Sequence, residues 1–193
     1  MRLDGRAYRP KRAEEAIAAG VFMCPKDRGT NAVVHDFDIT RNLTVPFLPR
    51  HSAFSFLKPG SERATARKII GDLGIVCQGP TDGIATLSGG NQQKVMVGRW
   101  LSEPSSVLVL DEPFQGVDIR ARRDIGRHIR ETAGDRATIV FVAELDEALE
   151  IADRILVISE GALAGDHVNR DVDVPAILSQ VSGSRAGGTA HAD

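Results

Sequence analysis

The run VLVL at Val107–Leu110, closed by Asp111, Glu112 and Pro113, sets the tightest limit on what this chain can fold into. It shows no polar alternation, so it reads as a strand buried on both faces, the pattern of a parallel sheet. Asp111 and Glu112 then fall at the carboxyl end of that strand, where open α/β sheets place their ligands. Two acids at a strand tip suit Mg²⁺ and water activation. One carboxylate holds the ion through its hydration shell, and the next orients or deprotonates the attacking water. A strand that simply ends in an Asp-Glu-Pro turn would carry the same letters.

Further strands are expected near Gly20–Cys24, Ser106–Leu110, Thr138–Ala143 and Arg154–Ser159, with helices between them, which gives a mostly parallel α/β sheet. From Asp38 to Pro104 the pattern is mostly helical, beginning around TRNLT and running through SERATARKIIGDLG. The insert VPFLPRHSAFSFLKPG, Val45–Gly60, sets three phenylalanines among prolines. They either dock an outside element or tuck into their own lobe. The ending SGSRAGGTAHAD is small and polar, and residues 171–193 are expected to be disordered.

Just before the buried run stands LSGGNQQKV, Leu87–Val95. Ser88 can cap a helix, and Gly89 and Gly90 let another molecule approach the first exposed N–H groups. Such a helix start carries about half a positive charge, which makes it an anion cradle. Val97, Trp100 and Leu101 share one face and would pin the helix to a core. An ordinary capped helix would also fit S-G-G taken alone.

Together, LSGGNQQKV, LVLDEP and GVD resemble the signature, Walker B and D-loop series of ABC-type ATPases, in order and spacing. The wording is closest to the second nucleotide-binding domain of bacterial sugar importers of the ribose, galactose and xylose type. Asn91–Val95, Glu112–Asp118 and Ala152–Val157 carry that likeness, as do RLDGR and AIAAGVFMCPKDR, and it covers Arg2 to Val168. The resemblance implies an ABC ATPase, P-loop NTPase fold with a helical signature lobe. It divides the chain into a core remnant over 1–37, the helical lobe over 38–104, and the Walker B and C-terminal strands over 105–170.

The same resemblance implies an ATP-binding component of a sugar import system. Asp111 would hold Mg²⁺, Glu112 would act on the attacking water, and Ser88, Gly89, Gly90, Gln92 and Asp118 would meet ATP across an interface. The partners implied are a second nucleotide-binding domain and transmembrane permease subunits, placing the chain in the cytoplasm on the inner face of the membrane. The insert Val45–Gly60 would then be a place for a permease coupling helix.

Three departures qualify this picture. A P-loop needs Gly-Lys followed by Ser or Thr, yet no glycine precedes any of Lys11, Lys26, Lys58, Lys68 and Lys94. The expectation is therefore an incomplete cassette whose central P-loop strand and helix are missing, leaving strand edges exposed and the chain inactive by itself. Lys26 stands at the Q-loop position, where a lysine cannot ligate Mg²⁺, and Ala143 at the switch position, where it can neither hold a γ-phosphate nor relay a proton. A partner or regulatory subunit without turnover, a gene remnant or a misplaced start codon would also fit, and a DNA-repair ATPase lobe fits less well because heptads are absent.

Composition narrows the classes further. With 193 residues, 42% hydrophobic, 26% charged and a formal charge of -2, the chain can form a real core and carries no overall polybasic character. No apolar stretch reaches the ~20 residues of a membrane span, and no secretory leader is legible. Cys24 and Cys77 lack metal or disulfide spacing and read as buried free thiols. Arg120, Arg123, Arg127 and Arg130 recur at helical spacing opposite Ala121, Ile125 and Ile129. That stripe is interrupted by Asp124 and Glu131, and reads as the solvated side of an amphipathic helix rather than a nucleic-acid face.

Overall fold

The computed structural model describes residues 1–27 and 32–182, in two compact units, Met1–Ala143 and Glu144–Asp193. The first opens with a short antiparallel pair, β1 (Arg2–Leu3) and β2 (Arg6–Ala7), followed by α1 (Ala13–Ala18) and β3 (Val21–Cys24). Then come α2 (Ile39–Thr44), the hairpin β4 (Ser52–Ala53) and β5 (Phe56–Leu57), α3 (Pro59–Asp72) and α4 (Gly89–Leu101). The unit closes with β6 (Val107–Asp111), α5 (Ile119–Glu131) and β7 (Ala137–Phe141). β3, β6 and β7 form a parallel sheet in that order, as the unalternating apolar runs require.

One face of this sheet is fully buried along β3 and β6 and half-buried along β7. Phe22, Cys24, Leu108 and Leu110 are inaccessible, whereas the row Met23, Val109 and Ile139 opens outward, with Met23 52% and Ile139 48% exposed. The expectation of burial on both faces therefore holds for Leu108 and Leu110 but not for Val107 and Val109, which are half-buried. The strands themselves lie within one or two residues of their expected bounds, although Gly20, Ser106, Val142 and Ala143 fall outside them.

A helical layer carried by α2, α3 and α4 packs beside the sheet. Gly98 marks its closest approach, since a Cβ there would lie 2.6 Å from Ile69 Cγ2 and 2.9 Å from Leu73 Cδ1. Trp100 meets Phe22 of β3 at 5.7 Å and Phe47 at 6.0 Å between ring centroids, so α4 is pinned to the sheet as its apolar face predicts. Several buried polar groups in this layer are paired, while Gln93 Oε1 and Trp100 Nε1 of α4 are not. Asn42 bonds the carbonyls of Val34 and Asp38 and receives the Arg99 guanidinium, and Thr44 donates to Glu62 at 2.9 Å.

The three phenylalanines of the insert divide. Phe47 is core, while Phe54 and Phe56, on and beside the β4–β5 hairpin, are exposed. Cys24 is buried and its thiol is pushed up to about 12, chiefly by burial. Cys77 is a free thiol that is only partly buried, short of the full burial expected.

The second unit contains α6 (Leu145–Ile151), the antiparallel pair β8 (Arg154–Ser159) and β9 (Ala162–Val168), and α7 (Val174–Val181). Ile155, Val157 and Ile177 form its core, with Leu145, Leu149 and Val172 against them. Helix α7 corrects the expectation of disorder from residue 171. Asp173 caps it and Ile177 is buried, an amphipathic signal too short to stand out beside the polar ending. Residues 183–193 lie outside the described residues.

Candidate functional site

Ser88 starts α4 as its sequence position predicts. Its hydroxyl accepts from the Asn91 N–H at 3.4 Å and from the Asn91 side-chain amide at 3.0 Å. Asn91 in turn accepts from the Val76 N–H at 3.0 Å, so it orients the serine and ties it to the loop after α3. The role of Asn91 was not anticipated, although a polar residue three places after a capping serine is a legible signal. Ser88 and Gly89 are exposed at the helix start.

The side chain of Gln92 turns away from that opening. Its amide donates to the Leu87 carbonyl at 3.1 Å and the Ile84 carbonyl at 3.3 Å, which holds the segment leading into Ser88. In this conformation Gln92 shapes the cradle rather than lining it.

A second helix begins beside the first. Asp118 caps α5 by accepting from the Ala121 N–H at 2.7 Å, and a Cβ at Gly90 would lie 3.8 Å from Ala121 Cβ. The starts of α4 and α5 are thus neighbours, and both point positive dipole ends outward. Lys94 joins the same two helices lower down. Buried on α4, it reaches Asp124 Oδ2 at 2.8 Å and the Gly74 carbonyl at 3.2 Å, while Arg127 holds Asp124 Oδ1 at 3.0 Å. Burial pushes the Asp124 carboxyl up, but the Lys94 bond and the charges of Lys94, Arg127 and Arg120 outweigh it and hold it low. The expected arginine stripe is solvent-facing, with Ala121, Ile125 and Ile129 buried behind it.

Asp111 ends β6 and Glu112 follows directly, both half-buried. Glu112 takes a left-handed φ of 48°, and its N–H donates to the Phe141 carbonyl at 2.9 Å. No cluster of three metal-ligating side chains occurs among the described residues. Lys26, at the Q-loop position, is exposed, and Ala143 lies just beyond β7.

The fold is that of an ATP-binding cassette. A dimeric post-hydrolysis ATP-binding cassette, MJ0796 bound to ADP and Pi, superposes with a TM-score of 0.71 at 16% identity, over 88% of this chain and 73% of that one. The ABC transporter family model matches residues 3–115, and the chain belongs to that family.

Among curated relatives, the arabinose import ATP-binding protein AraG of Pseudomonas syringae pv. tomato is 43% identical over 173 residues, covering 89% of this chain and 34% of that protein. The ribose import ATP-binding protein RbsA 2 of Rubrobacter xylanophilus is 34% identical over 194 residues, covering 100% of this chain and 37% of that protein. The chain thus spans about a third of the length of these relatives.

Proposed function

We propose that this chain serves an ABC-type sugar import system by offering a signature half-site to ATP held by a second cassette. The observation that carries this reading is the open start of α4, where Ser88, capped and oriented by Asn91, stands beside Gly89 and Gly90. The γ-phosphate would meet the exposed helix start and its dipole, with Gln92 keeping the lead-in segment in shape. Asp118, at the adjoining start of α5, faces the same interface. The import assignment is supported by the names of the arabinose and ribose relatives, and permease subunits are the partners it requires.

Asp111 and Glu112 would serve Mg²⁺ and the attacking water wherever a Gly-Lys-Ser or Gly-Lys-Thr loop presents phosphates to them. The 193 residues contain no such triplet. General-base help is worth roughly 10² to 10⁴ in rate, and only with the phosphate placed. Among the described residues no helix is long and apolar enough to cross a membrane, so contact with the bilayer would run through the permease.

Titration of the purified chain with Mg-ATP tests this reading. The expected result is no binding in the micromolar range. Micromolar affinity in the isolated monomer would contradict the half-site, because it would require a complete phosphate cradle within one chain.

A further inference from the structure

Gln93 is 1% exposed, yet it is a polar side chain in the middle of a packed helix. Its amide nitrogen donates to the Pro113 carbonyl at 2.9 Å, and its Oε1 has no hydrogen-bond partner. Burying an unpartnered carbonyl costs about 1–3 kcal/mol, which an apolar residue of the same length would avoid. Packing alone therefore does not explain a glutamine here; the donor does.

The carbonyl it holds belongs to the turn that follows β6. Glu112, immediately before Pro113, has φ 48°, a conformation that costs a residue with a Cβ and persists only where its surroundings fix it. Two contacts with other elements fix this turn. The Glu112 N–H is held by Phe141 on β7, and the Pro113 carbonyl is held by Gln93 on α4. The turn then closes on itself through the Gln115 N–H and the Glu112 carbonyl at 3.1 Å, and runs on to Asp118. One residue further along α4, Lys94 grips Asp124 beyond Asp118. Helix α4 thus holds the start of the segment that joins Glu112 to Asp118, at Pro113, and chain beyond its end, at Asp124.

We infer that Gln93 is a positioning residue: through the Pro113 carbonyl it makes the strained Glu112–Asp118 turn move with the signature helix. The Pro113–Asp118 stretch and the start of α4 are then presented to a nucleotide as one body. Its catalytic consequence rests on the half-site reading, whereas the mechanical coupling does not.

Amide hydrogen exchange on the full chain tests the coupling without nucleotide, comparing Gln93→Met and Gln93→Leu with the native protein. Both variants remove the donor together with the orphaned Oε1. The thermal midpoint should stay within about 4 °C of native. The Glu112 and Gln115 amides should exchange about tenfold faster, with the α3 amides unchanged. Native exchange rates at Glu112 and Gln115 in a folded variant would overturn the inference.

Turnover of Mg-ATP by the assembly with a complete cassette supplies the second measure, one that a packing role would not move. Gln93→Met should lower kcat by about ten- to a hundredfold at unchanged KM, because misplacement of this order acts on the reacting geometry. A native kcat for Gln93→Met, where Ser88→Arg abolishes turnover, would overturn its part in the reaction. Native turnover by Ser88→Arg itself would defeat the half-site reading, and the exchange rates would still decide the coupling.

Discussion

The two faces of the β3–β6–β7 sheet are made of similar residues and meet different surroundings. On one, Phe22, Cys24, Leu108 and Leu110 are fully buried, with Trp100 of α4 packed on Phe22. On the other, Met23, Ile139 and Phe141 are about half exposed. Amino-acid type therefore does not separate the faces; the covering helices do. A strand that carries valine and leucine without alternation is built to be covered twice, and among the described residues complete burial is reached by the β3 and β6 residues on the face toward α4.

The comparison can be broken most sharply at Leu110. Leu110→Ala should cost about 2–5 kcal/mol in urea unfolding, the ordinary price of a cavity in a closed core. A loss under about 1 kcal/mol would mean that the buried face is loosely packed. Next comes the polar anchor of the covering helix, Lys94. Lys94→Met leaves Asp124 with the Arg127 bond and the charge of Arg120 and should destabilise by about 2–3 kcal/mol, while Lys94→Met combined with Asp124→Leu should recover most of it.

The same pair sets a pH dependence. Because the Asp124 carboxyl is held below its unfolded value, its contribution is present above about pH 4 and is lost as pH falls through the folded value. Unfolding midpoints measured from pH 6 to pH 3 in the native chain and in Asp124→Asn should converge at the acid end.

Gly98→Ala should cost about 1–2 kcal/mol. The added methyl group must displace Ile69 and Leu73, and this outweighs the gain in helix propensity. On the open face, Ile139→Thr should change stability by no more than about 0.5 kcal/mol. A larger loss there would show that the open face is covered in solution.

Much of this was legible in the sequence because the signals are local. The strand ending one residue past the expected Leu110, the bounds of β8, the cap at Ser88 and the apolar side of α4 each follow from a few adjacent letters. What escaped depends on distant partners or on backbone geometry. Gln92 offers the same amide whether it faces a phosphate or the Leu87 carbonyl, and only the folded loop decides. The left-handed Glu112 and the bond from Gln93 to Pro113 join segments twenty residues apart. Of the three phenylalanines in one insert, only Phe47 meets Phe22, at 5.2 Å, and no periodicity distinguishes it from Phe54 or Phe56.

The central claim is that the start of α4 closes on a nucleotide held elsewhere. Sedimentation of this chain with a cassette that carries a Gly-Lys-Ser or Gly-Lys-Thr loop, with and without Mg-ATP, tests it most directly. The account predicts a complex that forms with Mg-ATP, falls apart without it and is abolished by Ser88→Arg. Association that ignores both nucleotide and Ser88→Arg, or no association at all, would contradict it.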